Sequence, residues 1–105
     1  MTGKQAQTIR HVPLQQVDLK GGFWEPRLRV NREVSIPIEY QRCKETGRIA
    51  AFQLDWEPGS WYTPHRFRDS DVAKWIEAAA YSLSTHPDPV LEQRVDEVID
   101  LIASA

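Results

Sequence analysis

The run Phe67-Arg68-Asp69-Ser70-Asp71-Val72-Ala73-Lys74-Trp75-Ile76-Glu77-Ala78-Ala79-Ala80-Tyr81-Ser82-Leu83 decides the fold. Within it, Val72, Trp75, Ile76, Ala79, Ala80 and Leu83 are spaced 3, 1, 3, 1 and 3 residues apart. A helix turns once in about 3.6 residues, so this spacing gathers all six on one face. Asp69, Ser70 and Asp71 stand just ahead of the first apolar position. Short oxygen-bearing side chains there can accept from the free N–H groups of a first turn, and negative charge suits that end of a helix. The three are therefore expected to cap the helix.

Downstream, His86-Pro87-Asp88-Pro89 interrupts the pattern. Asp88 is a good N-cap and Pro89 fits the first helical position, where a missing N–H leaves no bond unmade. Leu91, Val95, Val98 and Ile102 then follow at spacings of 4, 3 and 4. Two amphipathic helices across a short break make an αα-hairpin. A hairpin must bury its apolar stripe against something, and no glycine, asparagine or proline precedes Ala105 as a stop. The chain is therefore expected to be truncated at its C-terminal end, with the missing remainder of its own chain as its first partner.

Upstream, residues 1–11 read as a flexible polar lead, with little apolar surface to offset the entropy of ordering, and residues 12–105 as the start of a domain. Val17 and Leu19 alternate with Asp18 and Lys20, a short strand pattern that Gly21-Gly22 ends. Pro26 can open a helix whose apolar positions are Leu28, Val30, Val34 and Ile36, and Pro37 is expected to kink or stop it near Ile36. Residues 38–46 can resume a helix, with Gly47 as the stop. Residues 53–66, with Pro58, Gly59, Pro64, Trp56, Trp61 and Tyr62, read as an irregular loop.

The composition excludes several classes. The 105 residues carry a formal net charge of -2, with 41% apolar and 27% charged residues. Nothing in that balance draws the chain to nucleic acid or to an anionic membrane. No stretch approaches ~20 apolar residues, and the polar start does not read as a secretory signal. A cytoplasmic setting is expected.

Few residues suggest chemistry. Asp69 and Asp71 could in principle be the paired carboxyls of a glycosidase, with capping as the plainer alternative. His11, His65 and His86 are scattered, and no Cys/His/Asp/Glu set has metal-ligand spacing. Cys43 is the one cysteine; Arg42 and Lys44 beside it could lower its pKa, although neighbours along a helix point different ways. No G-x-S-x-G elbow and no phosphate-binding glycine loop occurs. Trp56, Trp61 and Tyr62 share a loop with His65 and Arg66, and flat rings beside polar groups suit a carbohydrate; the alternative is a loop pinned to the core by its tryptophans.

The D-S-D-V-x-K-W-x-E-A-A-x-Y run resembles the hallmark segment of glycoside hydrolase family 127. Val17-Asp18-Leu19 with Gly22-Phe23-Trp24, then Glu45-Thr46-Gly47-Arg48-Ile49 with Phe52, then His86-Pro87-Asp88-Pro89 with Val95-Asp96 and Asp100-Leu101-Ile102-Ala103, agree with that family in type and order. Ala73 stands where many members have tyrosine. The resemblance implies a mainly α fold, the N-terminal part of an (α/α)6 toroid, with a short β-strand before the αα-hairpin. It implies a retaining β-L-arabinofuranosidase acting on arabinose-containing oligosaccharides. The family's nucleophile is a cysteine at a zinc site with other cysteines and a glutamate, and a second glutamate is the acid/base. All of these lie downstream of the matched part, so Cys43 takes no catalytic role, and neither catalytic residues, metal ligands nor cofactor are expected in this chain. By position alone, Asp69, Asp71, Trp61 and His65 are candidates for the rim of the substrate pocket, and the chain itself reads as scaffold. The alternatives are a free-standing helical interaction module and a catalytically inactive relative.

Overall fold

The structure, a computed structural model, describes residue 6 and residues 8–105. Four α-helices carry it: α1 (Trp24–Val30), α2 (Ile36–Glu45), α3 (Arg68–Thr85) and α4 (Pro89–Ser104). Short 3-10 turns at Leu14–Gln16 and Ala50–Gln53 lie against α3 and α4 respectively. In the lead, residues 6 and 8–11 are exposed and irregular; the rest of it lies outside the described residues.

The strand expected at Val17–Leu19 is not formed. Pro13 instead opens a 3-10 turn, in which the Gln16 N–H donates to the Pro13 carbonyl at 2.9 Å. Val17 does have extended dihedrals (φ -101°, ψ 124°), but a strand needs a partner, and no strand occurs among the described residues. Alternation of side chains records an extended backbone and says nothing of what lies beside it.

Of the two outcomes expected of Pro37, a kink or a stop near Ile36, the stop does not occur. Between α1 and α2 the backbone widens into a π-turn, Asn31–Ser35, in which the Ile36 N–H reaches the Asn31 carbonyl five residues back. Proline has no N–H to give and its ring crowds the carbonyl four residues back. A π-turn takes in one extra residue, and α2 starts with Pro37 inside its first turn. At the far end Gly47 takes the expected role of a stop: its φ of 76° ends α2 in the left-handed region.

The αα-hairpin forms as read. The Asp88 carboxylate accepts from the backbone N–H of Val90 at 3.1 Å and of Leu91 at 3.2 Å, with Pro89 in the first turn. Asp88→Ala should cost about 1 kcal/mol in urea unfolding, whereas Asp88→Asn, which keeps an acceptor, should cost a few tenths at most.

The start of α3 differs from the expectation. The helix begins at Arg68, and no side chain caps it. A turn at His65 does that work instead: the Arg68 N–H donates to the His65 carbonyl at 3.0 Å and the Phe67 N–H to His65 Nδ1 at 3.1 Å. Asp69 and Asp71 thus fall inside the first turn, where their charge still complements the helix end.

Helix α3 lies between α2 and α4 and supplies the middle of the core. Ile36, Tyr40 and Cys43 from α2 meet Val72, Trp75 and Ala79, which meet Leu91, Val95 and Val98 of α4. Trp75 is only 4% exposed, and its indole N–H donates to the Ile36 carbonyl at 3.0 Å. Its ring lies 5.1 Å from that of Tyr40, over which the Arg94 guanidinium sits at 4.7 Å. The six-residue apolar face of α3 is narrower than its sequence suggests, because Ile76 and Leu83 are half-buried at its margin and Ala80 is exposed.

The molecule is elongated. Its radius of gyration is 18.9 Å, against about 13 Å for a compact domain of this length. Large apolar side chains remain exposed on α1, the π-turn and the outer side of α2, among them Trp24, Leu28, Val34 and Ile38.

Candidate functional site

A groove of about 460 Å³ runs along the crease between α2 and α3. Glu39, Arg42 and Cys43 of α2 line one wall and Asp71 and Lys74 of α3 the other, and Arg48 is part of the lining. The Arg48 Nε donates to Asp71 Oδ2 at 2.7 Å, with both side chains partly shielded from water (22% and 36% exposed). This pair ties the segment after α2 to the first turn of α3. Arg42 is turned back along its own helix to Glu45 at 3.3 Å.

Cys43 faces the interior of this crease and is buried. Burial pushes its thiol above the ordinary value; the Arg48 guanidinium opposes that, while the charges of Glu39 and Asp71 reinforce it. The cation that acts on the thiol is thus Arg48, not the neighbours Arg42 and Lys44. A protonated, shielded thiol is a poor nucleophile, so thiol reagents should label Cys43 far more slowly at pH 7 than they label the unfolded chain. The raised value also bears on stability. Below the thiol's unfolded value, ~8.5, both states hold the proton and the full stability is present. As pH rises past it the unfolded chain ionises first, and stability falls until the folded thiol ionises too. Cys43→Ala should flatten this alkaline loss relative to the native chain in unfolding curves taken between about pH 8 and 10.

The loop from Leu54 to Phe67 is the second feature. Trp56 donates its indole N–H to the Tyr62 carbonyl at 2.5 Å. The Tyr62 ring covers Gly47 so closely that a Cβ at Gly47 would lie 2.3 Å from its ring carbons. Trp61, between these two anchors, is 67% exposed and touches Tyr62 with ring centroids 4.6 Å apart. The ring that seats the loop is thus Tyr62; the tryptophans, expected as the pins in one of the two readings, are 38% (Trp56) and 67% (Trp61) exposed.

The four candidate rim residues are not drawn into one cluster. Asp71 lines the groove and pairs with Arg48. Asp69 is solvent-exposed beside Arg68, at 3.5 Å. Two residues apart on a helix, these carboxylates point away from each other, which removes them as the facing acid pair of a glycosidase. His65 spends its Nδ1 on the Phe67 N–H, its ring 5.5 Å from that of Phe67. The Arg48–Asp71 pair and the Tyr62–Gly47 contact had no signature in spacing or periodicity; the turn glycine was the one visible sign.

Among the described residues, no three of His, Cys, Asp and Glu come together closely enough to hold a metal ion, and no helix is long and apolar enough to cross a membrane.

Comparison with known proteins bears on residues spanning both features. A non-reducing end beta-L-arabinofuranosidase of Bifidobacterium longum subsp. longum is 48% identical over 58 residues, a stretch that is 55% of this chain and 8% of that protein. The chain thus corresponds to a small part of its relative's length. No solved structure matches it significantly. Residues 16–105, which include α1 to α4, the groove and the aromatic loop, match the family described as beta-L-arabinofuranosidase, GH127 catalytic domain. The chain belongs to the glycoside hydrolase family 127 β-L-arabinofuranosidase catalytic-domain family.

Proposed function

We propose that this chain is the opening part of the catalytic domain of a retaining β-L-arabinofuranosidase that releases terminal arabinofuranosyl residues from arabinose-containing oligosaccharides. The observation that carries the reading is the family match over residues 16–105. In this reading the chain is scaffold: α3 and α4 are the first helix pair of an (α/α)6 toroid, and the reacting groups belong to a longer protein. The elongated shape and the exposed Trp24, Leu28, Val34 and Ile38 support this, since such apolar surface is stabilised by cover from further helices of the same protein. A zinc centre, if the longer protein has the family's, draws its ligands from elsewhere; the buried Cys43 joins no group of three metal-ligating side chains among the described residues. The aromatic loop and the start of α3 sit at the pocket rim in this arrangement. The proposed compartment is the cytoplasm.

The test is the full-length protein against the 105-residue chain, both assayed with p-nitrophenyl β-L-arabinofuranoside. The longer protein should release nitrophenol, lose that activity with a zinc chelator, and form the β-anomer of L-arabinose first, as NMR during the first turnovers would show. The short chain should release none. A full-length protein inactive on every β-L-arabinofuranoside would overturn the reading, and an α-anomer formed first would overturn retention.

A further inference from the structure

The aromatic loop holds one ring that its own packing does not explain. Trp56 and Tyr62 brace it, through the indole-to-carbonyl bond and the seat on Gly47. The backbone on the near side is set by a turn in which the Ser60 N–H donates to the Glu57 carbonyl at 3.1 Å. Trp61 projects from this braced frame with two-thirds of its surface exposed, its ring tilted 57° against that of Tyr62 with centroids 4.6 Å apart. Trp24 is exposed as well, but it stands in a helix, stacked edge-on against Phe23 at 4.9 Å, where helix-to-helix packing is the ordinary use of an apolar ring. Trp61 stands in a bend and on no helix face. An indole has a wide apolar face, few rotatable bonds to freeze and an N–H at its rim, a combination suited to stacking on the C–H face of a sugar while leaving the hydroxyls to water or polar neighbours.

We propose that Trp61 is a stacking platform for a sugar ring of the glycan substrate. It rests on the glycosidase reading above. The bracing matters to the role, because a ring held in place before the ligand arrives loses little freedom on binding. Trp61 binds and orients; it takes no part in bond breaking.

The experiment uses the full-length protein as wild type, Trp61→Ala and Trp61→Phe. Calorimetric titration with an L-arabinofuranose-terminated oligosaccharide is set beside steady-state kinetics and thermal melting. Trp61→Ala should weaken binding and raise KM about 3- to 10-fold, the range that aromatic contact strengths imply, with kcat within about twofold and melting unchanged. Trp61→Phe, which keeps an apolar face, should recover most of the loss. Unchanged binding and KM in Trp61→Ala would overturn the proposal. So would a fall in melting temperature with binding and KM as in wild type, which would mean that another part of the chain covers the ring. If wild type proves inactive yet binds the oligosaccharide and Trp61→Ala binds it more weakly, the platform stands and the hydrolase reading fails. If wild type binds no glycan, the platform fails too.

Discussion

Replacing Gly47 by alanine is expected to destabilise the fold by roughly 2–4 kcal/mol, the sum of a backbone part and a steric part. The backbone part comes from φ at 76°, a region that a Cβ disfavours by about 1 kcal/mol. The steric part comes from Tyr62, whose Cδ2, Cγ and Cβ would lie 2.3, 2.3 and 2.6 Å from the new methyl. Those are atoms near the root of the side chain, so the ring cannot swing clear without moving the loop. Urea unfolding measures the total, and a double-mutant cycle with Tyr62→Ala separates the parts. In the absence of the tyrosine, Gly47→Ala should cost only the backbone share of about 1 kcal/mol. An equal loss with and without Tyr62 would show that the close approach plays no part. The same variant should loosen the end of the loop that carries Trp61, so hydrogen exchange across residues 54–66 should quicken.

Trp75→Ala should cost more, about 3–5 kcal/mol, as for large rings removed from a packed core. Trp75 joins α3 to α2 twice, through its contact with Tyr40 and through its N–H to the Ile36 carbonyl. Trp75→Phe separates the two. It keeps a ring near Tyr40, removes the donor and leaves a smaller cavity, and should cost about 1–3 kcal/mol. A phenylalanine variant as unstable as the alanine one would mean that the hydrogen bond outweighs the packing. Under urea, both should shift the midpoint with little change of slope.

What could be read in advance follows the range of the interactions. From Phe67 to Ser104 the pattern is local: each apolar position is related to the next by one helical turn, and Asp88 bonds N–H groups two and three residues on. The hairpin, its break and its second cap are therefore visible in the chain itself. Errors arose where a local signal has two physical outcomes. Asp69 and Asp71 suit a cap and suit a first turn equally, and the His65 turn, which lies outside the apolar pattern, decides between them. Val17 and Leu19 suit an extended segment, but pairing needs a neighbour that no residue near them specifies. The aromatic loop was legible as a loop, and its division into braced and projecting rings was not, because Tyr62 finds Gly47 only after the chain has folded back on itself. The family resemblance, by contrast, lay in the D-S-D-V-x-K-W-x-E-A-A-x-Y run, where core and helix-start residues are interleaved in one recognisable order.

The π-turn at Asn31–Ser35 has a geometric meaning for everything before it. One surplus residue in a helix advances the azimuth of the preceding segment by about 100° relative to the following one. Trp24 and Leu28 are therefore indexed to a different sector of the molecule from the one their separation from Ile36 and Tyr40 would assign in an unbroken helix. The bulge is a rotary offset: α2 keeps its face on α3, while α1 is dialled round to present its own apolar side chains in another direction. Deleting one residue from this turn would leave the composition of both faces intact and aim the first of them elsewhere.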